Sequence, residues 1–153
     1  MIDNLNNAKF LPVIAPAAIV DNASWTTNEI DTLGYDYLTV VVHVGATDIA
    51  IAALKLQSSN TSGSGFADVD GLDVDGDTDA FGATAALPSG TDDNSLIVFQ
   101  VDLKVGNKRY WDLVATAGDG STGTFASAIA ILTEGEVAPT TAATMGAETV
   151  MRI

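Results

Sequence analysis

Apolar and polar side chains alternate with a period of two through several stretches of this chain, the period of strands half-buried in a sheet. Residues 37–44 (YLTVVVHV) give the strongest instance. Leu38, Val40, Val42 and Val44 make one wholly apolar face; Tyr37, Thr39, Val41 and His43 make a mixed opposite face. In residues 96–105, Ile97, Phe99, Val101, Leu103 and Val105 are predicted to point inward, and Gln100, Asp102 and Lys104 outward. That is the pattern of a half-buried antiparallel strand. Between these stretches, Gly45, Ala46 and Thr47 predict a turn. Residues 48–58 then predict a strand with Leu54 and Leu56 on one face, Lys55 and Gln57 on the other. Its alanines admit a helix, but the isoleucines and the neighbouring strands favour β.

Gly106-Asn107 predicts a further turn, followed by two β-rich runs, residues 109–117 and 124–132. Only Gly, Asp, Ser and Thr lie between these runs, so they are expected to form a hairpin. Residues 10–20 carry Pro12 and Pro16, which cannot donate to a central ladder, and so read as an extended edge or arm. Residues 58–65 (SSNTSGSG) are a polar loop, and residues 68–88 an acidic, glycine-studded loop with at most a short helix or strand. The last stretch has no sustained period, so its order requires a hold from its own sheet or from a neighbouring subunit.

These elements predict one all-β domain over residues 1–153, an antiparallel β-sandwich with the possibility of a jelly-roll winding. Residues 1–25 are expected to form an extended N-terminal arm and residues 140–153 a C-terminal tail. The 153 residues suffice to bury a core. With no cysteine, disulfides, thiolate metal sites and cysteine nucleophiles are excluded.

The formal charge of −14 repels phosphate backbones and anionic membrane surfaces, so no nucleic-acid or membrane partner is expected. It suits a solvated surface or one that meets a basic partner. The apolar run at residues 10–20 is broken by its prolines and reads as neither signal peptide nor membrane span. The sequons at Asn22 and Asn60 therefore carry little weight.

Candidate chemistry is sparse. The run DVDGLDVDGDTD, from Asp68 to Asp79, offers alternate carboxylates of the kind calcium takes. Counted from Asp73, the sixth and twelfth places of a calcium-binding hand fall on Thr78 and Thr84, which favours a solvated acidic loop. Gly118 to Gly123 is a literal GxGxxG, but strand-like residues follow it and Asp119 would repel a phosphate, so a hairpin loop is the better reading. His43, the sole histidine, has no legible triad around it. Asp92-Asp93 suits a turn better than paired acid–base work. Of the aromatics able to stack on a sugar, Trp111 and Tyr110 lie in a strand, Trp111 reading as core, and Trp25 is the one expected to be exposed. No catalytic, cofactor or metal residue is assigned, and no enzyme activity is expected.

Three segments in order carry a resemblance: IDTLGYDYLTVVVHVGA (30–46), LKLQSS (54–59), and DDNSLIVFQVDL followed by GNKRYWDLVATAGDGSTGTFASAIAIL (92–132). Together they resemble small structural proteins encoded in the head-gene region of tailed bacteriophages. Those typically show a DT-G-Y entry to a strand, an LKLQES-like strand with a polar loop, and a KRY strand, Gly/Thr turn, SAIA strand and AP ending. The ending here is EVAP, up to Pro139. The acidic stretch from Asp68 to Asp79 and the tail after Pro139 depart from that pattern.

The resemblance implies a virion structural protein, a decoration or cement protein on the capsid surface. It would bind the major capsid protein and act as a homo-oligomer, dimer or trimer, made in the host cytoplasm. Contacts would be sought in residues 1–20 and 140–153. The alternative is a particle-displayed binding module, a glycan- or calcium-linked adhesion domain.

Overall fold

The structure, a computed structural model, describes residues 4–75, 77–105 and 108–151. After a 3-10 turn at Asn4–Asn7, eight strands follow. They are β1 (Lys9–Ile14), β2 (Ile30–Asp31), β3 (Tyr35–Thr47), β4 (Ala53–Ser59), β5 (Ala67–Asp73), β6 (Leu96–Asp102), β7 (Tyr110–Thr116) and β8 (Thr124–Gly135). One sheet has the order β1-β8-β3-β6 and the other β2-β7-β4-β5, with every pair antiparallel. This is a β-sandwich, and its strand order is that of an eight-stranded jelly roll.

The core lies between the sheets, where the alternation placed it. Leu38, Val40, Val42 and Val44 of β3 are buried, with Leu54 and Leu56 of β4, Trp111 and Leu113 of β7, and Leu132 of β8. Each large aliphatic side chain so enclosed contributes about 1.5–3 kcal/mol over an exposed one. In β6, Phe99 and Val101 are buried and Ile97 half-buried. Val105, expected inward, lies beyond the end of β6 and is 75% exposed.

The expected turn at residues 45–47 is instead the end of β3, which continues to Thr47 through a register shift after Val44. Thr47 is held by its hydroxyl contact with Thr124 (2.6 Å) and donates its N–H to the Asp93 carboxylate (2.8 Å). The following strand starts only at Ala53, because residues 48–52 run as an irregular connection. The Gly106-Asn107 turn lies outside the described residues.

The expected hairpin does not form. β7 pairs with β2 and β4, whereas β8 pairs with β1 and β3, so residues 117–123 cross from one sheet to the other. Two strands with small polar residues between them fit either arrangement. Here the core requires each strand in a different layer.

Residues 1–25 were expected to form an arm, but their described part is built into the sandwich. β1 is an edge strand, Val20 bridges Thr124, Ser24 bridges Thr116, and the Trp25 N–H donates to the Ala115 carbonyl. A register shift between Pro12 and Ile14 lets the consecutive residues Val13 and Ile14 both be buried. The tail is held by its own sheet. Met145 is buried and its carbonyl accepts the Phe10 N–H at 2.7 Å. Gly146 follows at positive φ, so close that a Cβ would stand 2.1 Å from the Phe10 carbonyl oxygen.

Candidate functional site

Four carboxylates of the acidic run, those of Asp68, Asp73, Asp77 and Asp79, are engaged by the protein itself. Asp68, on β5, pairs with Lys55 at 2.7 Å and accepts from Gln57, which holds its carboxyl below the usual carboxylate range. Asp77 folds back to accept the N–H groups of Gly71 and Asp73, and Asp79 accepts those of Phe81 and Ala83. Among the described residues, no three acidic or histidine side chains converge as a metal would need.

The GxGxxG loop does cradle an anion, but the anion belongs to the chain. The Asp48 carboxylate accepts the N–H groups of Ser121 (2.6 Å), Thr122 (2.6 Å) and Gly123 (3.2 Å). These backbone bonds, led by Thr122 and Ser121, hold its carboxyl below the usual range. A Cβ at Gly120 would stand 2.4 Å from Asp48, and one at Gly118 would stand 2.2 Å from the Ala50 carbonyl oxygen. The glycines serve a close crossing of backbone rather than a phosphate.

Asp92 and Asp93 are turn residues, as expected. Asp92 accepts the N–H and hydroxyl of Ser89, and Asp93 the N–H of Thr47. Trp111 is fully buried and donates its indole N–H to the Lys108 carbonyl. Trp25, expected at the surface, is only 8% exposed, because the Val20 and Ser24 bridges pull its segment onto β7 and β8. Tyr110 is half-buried beneath Arg109, so these three rings form no open stacking platform.

What distinguishes the molecule is the contrast between its two outer faces. On the β2-β7-β4-β5 sheet, the outer face is polar and internally paired. Thr27 donates to Asp112, and Lys55 and Gln57 hold Asp68. On the β1-β8-β3-β6 sheet, the register aligns Pro12, Ile129, Val41 and Val98 in one row across all four strands. On one side of the row lie Leu96 and Phe125, and on the other Ile131 and Phe10, which β8 pairs together. Leu96 is 63% exposed, Val98 51%, Phe125 47% and Ile129 44%.

No carboxylate interrupts these rows until Asp102, which is opposite Tyr37. His43 lies exposed on this face between Leu96 and Ser127. Sequence reading ranked the 37–44 stretch for its buried face. The signal for the other face was Val41, together with Val98 and Ile129, each an apolar residue at an outward position. No helix among the described residues is long and apolar enough to cross a membrane. Neither the protein-family models nor the curated proteins contain a match to this chain.

Proposed function

We propose that this chain is a virion structural protein of the decoration or cement kind, bound to the major capsid protein on the outside of a phage head. One observation carries the reading: the charge-free apolar row of Pro12, Ile129, Val41 and Val98 on the outside of one sheet. In a chain of net charge −14, a contiguous apolar face is where another protein surface belongs. The resemblance to phage head-region proteins supplies the partner, and the jelly-roll winding, which recurs among viral structural proteins, supports it by analogy. Adhesion of this kind works by excluding water from the face, and many copies on one shell multiply a modest affinity.

The N-terminal contribution to these contacts is then the outer face of β1, at Phe10 and Pro12, and not a free arm, because β1 and the Met145 region are committed to the sandwich. The competing module for a glycan or calcium has less to rest on, since Trp25 is enclosed and Asp73, Asp77 and Asp79 already accept backbone N–H groups.

Co-sedimentation with capsid shells lacking this protein tests the reading. Ile129→Glu should lower binding by at least about tenfold, the effect of placing a charge at the centre of an apolar interface. Its circular dichroism should be unchanged, because Ile129 points away from the core. Wild-type protein that fails to sediment with shells, or a variant that saturates them equally, would overturn the proposal.

A further inference from the structure

A β-sandwich with two open sheets has four edges, and three of them are blunted here. The edge of β1 is covered: the Phe10 N–H goes to Met145, Pro12 has none, and the carbonyls of Pro12 and Val13 accept from Asn28. On β5 the outward N–H groups of Gly71 and Asp73 are capped by the Asp77 carboxylate. β2 has only two residues. Such devices keep unwanted strands from pairing.

The fourth edge, β6, has none of them among the described residues. The Val44 N–H bonds the Ser95 carbonyl, and the Leu103 N–H bonds the Asp36 carbonyl. With the β3–β6 register, these bonds turn the backbone groups of odd-numbered β6 residues toward β3. Those of Leu96, Val98 and Gln100 therefore point off the sheet, and no partner for them occurs among the described residues. The edge opens into a groove of about 450 Å³ between β6 and the β5 loop region. Its apolar lining includes Val69, Leu72 and Phe99, five aspartates contribute to it, and no lysine or arginine among the described residues does.

We propose that the free edge of β6 is a strand-addition site for an extended segment of another protein in which apolar β-branched residues alternate with Lys or Arg. Side chains of an added strand alternate between two faces. Those on the outer face continue the apolar rows beside Leu96 and Val98. Those on the inner face enter the groove, where a lysine or arginine stem lies on the apolar lining and its charge reaches the aspartates. A second copy of this chain is the poorer occupant, because a two-fold pairing of β6 strands brings two aspartate-lined loops toward each other. The inference stands apart from the capsid reading, since it needs only the isolated chain.

The test is fluorescence anisotropy with a dye-labelled heptapeptide alternating lysine and valine. Saturable binding should appear, with the amides of Leu96, Val98 and Gln100 becoming protected from hydrogen exchange. Val98→Pro removes an outward N–H that the fold does not use, as edge strands tolerate, and should weaken binding by at least about tenfold. Val98→Thr keeps the N–H and should bind as wild type. A peptide N-methylated on its valine amides, the set that antiparallel pairing aims at β6, should fail. The proposal is overturned by undiminished binding of either the proline variant or the methylated peptide, since attraction between charges alone would then suffice. It is also overturned if the chain is a dimer that Val98→Pro converts to monomers, since β6 would then serve a second copy. Absence of saturable binding by the unmodified peptide also overturns it while leaving shell binding through Ile129 standing, and loss of shell binding leaves the peptide result standing.

Discussion

At the scale of single residues, the crossing at residues 117–123 depends on one carboxylate and a few missing side chains. Asp48 ties three N–H groups from a loop more than seventy positions away. Its folded-state pKa is lowered from 3.8, so its contribution is fully present above that value and is lost as pH falls through the lower folded value. Asp48→Asn should therefore lower the melting temperature at pH 7 and flatten the acid limb of melting temperature against pH. An acid limb as steep as that of the wild type would show that the cradle contributes nothing. Gly123 sits at φ +86°, where a Cβ would stand 2.4 Å from the Val20 carbonyl oxygen. Gly123→Ala should cost about 2–3 kcal/mol in urea unfolding, from strain and overpacking together.

Among elements, β3 and β8 hold one sheet together and the termini close its edge. Leu132, fully buried on β8, lies opposite both Lys9 of β1 and Leu38 of β3. Leu132→Ala should cost about 2–5 kcal/mol, the usual range for a core cavity. Met145 is the anchor of an otherwise featureless tail. Met145→Ala should speed hydrogen exchange at the Phe10 amide well before global unfolding, because it loosens one local contact. Removing residues 1–14 should leave a chain that does not melt cooperatively, since β8 would lose its partner over residues 128–132 and the core would lose Val13 and Ile14. A truncated chain that still unfolds cooperatively would restore the arm that the sequence suggested.

For the molecule as a whole, the balance is between self-repulsion and the carboxylate contacts. A formal charge of −14 on 153 residues opposes compactness. Salt at about 0.15 M shortens the range of that repulsion to about 8 Å, so the melting temperature should rise between low and physiological ionic strength. Lowering pH toward the sequence pI of about 4.1 relieves the same repulsion. Below 3.8 the hydrogen-bonded carboxylates Asp31, Asp48, Asp68 and Asp92, all held below their ordinary value, begin to lose their contribution. Melting scans should place the stability maximum on the acid side of neutrality but above 3.8. The same charge makes the outside of the β1-β8-β3-β6 sheet, where carboxylates are missing, the surface proposed here for adhesion.

The alternation at Leu38, Val40, Val42 and Val44, and at Leu54 and Leu56, was enough to determine the all-β class and the buried side of the main strands. Period two is a local property, and each run carries it unaided. The turn roles of Asp92 and Asp93 were equally legible, since a turn is made by near neighbours. Layer assignment was not, because whether β7 and β8 share a sheet depends on partners far away in sequence. The enclosure of Trp25, the meeting of Asp48 with its loop and the tie from Met145 to Phe10 are likewise long-range contacts. The open edge of β6 belongs with them: it is visible only once the other three edges are known to be covered, capped or short.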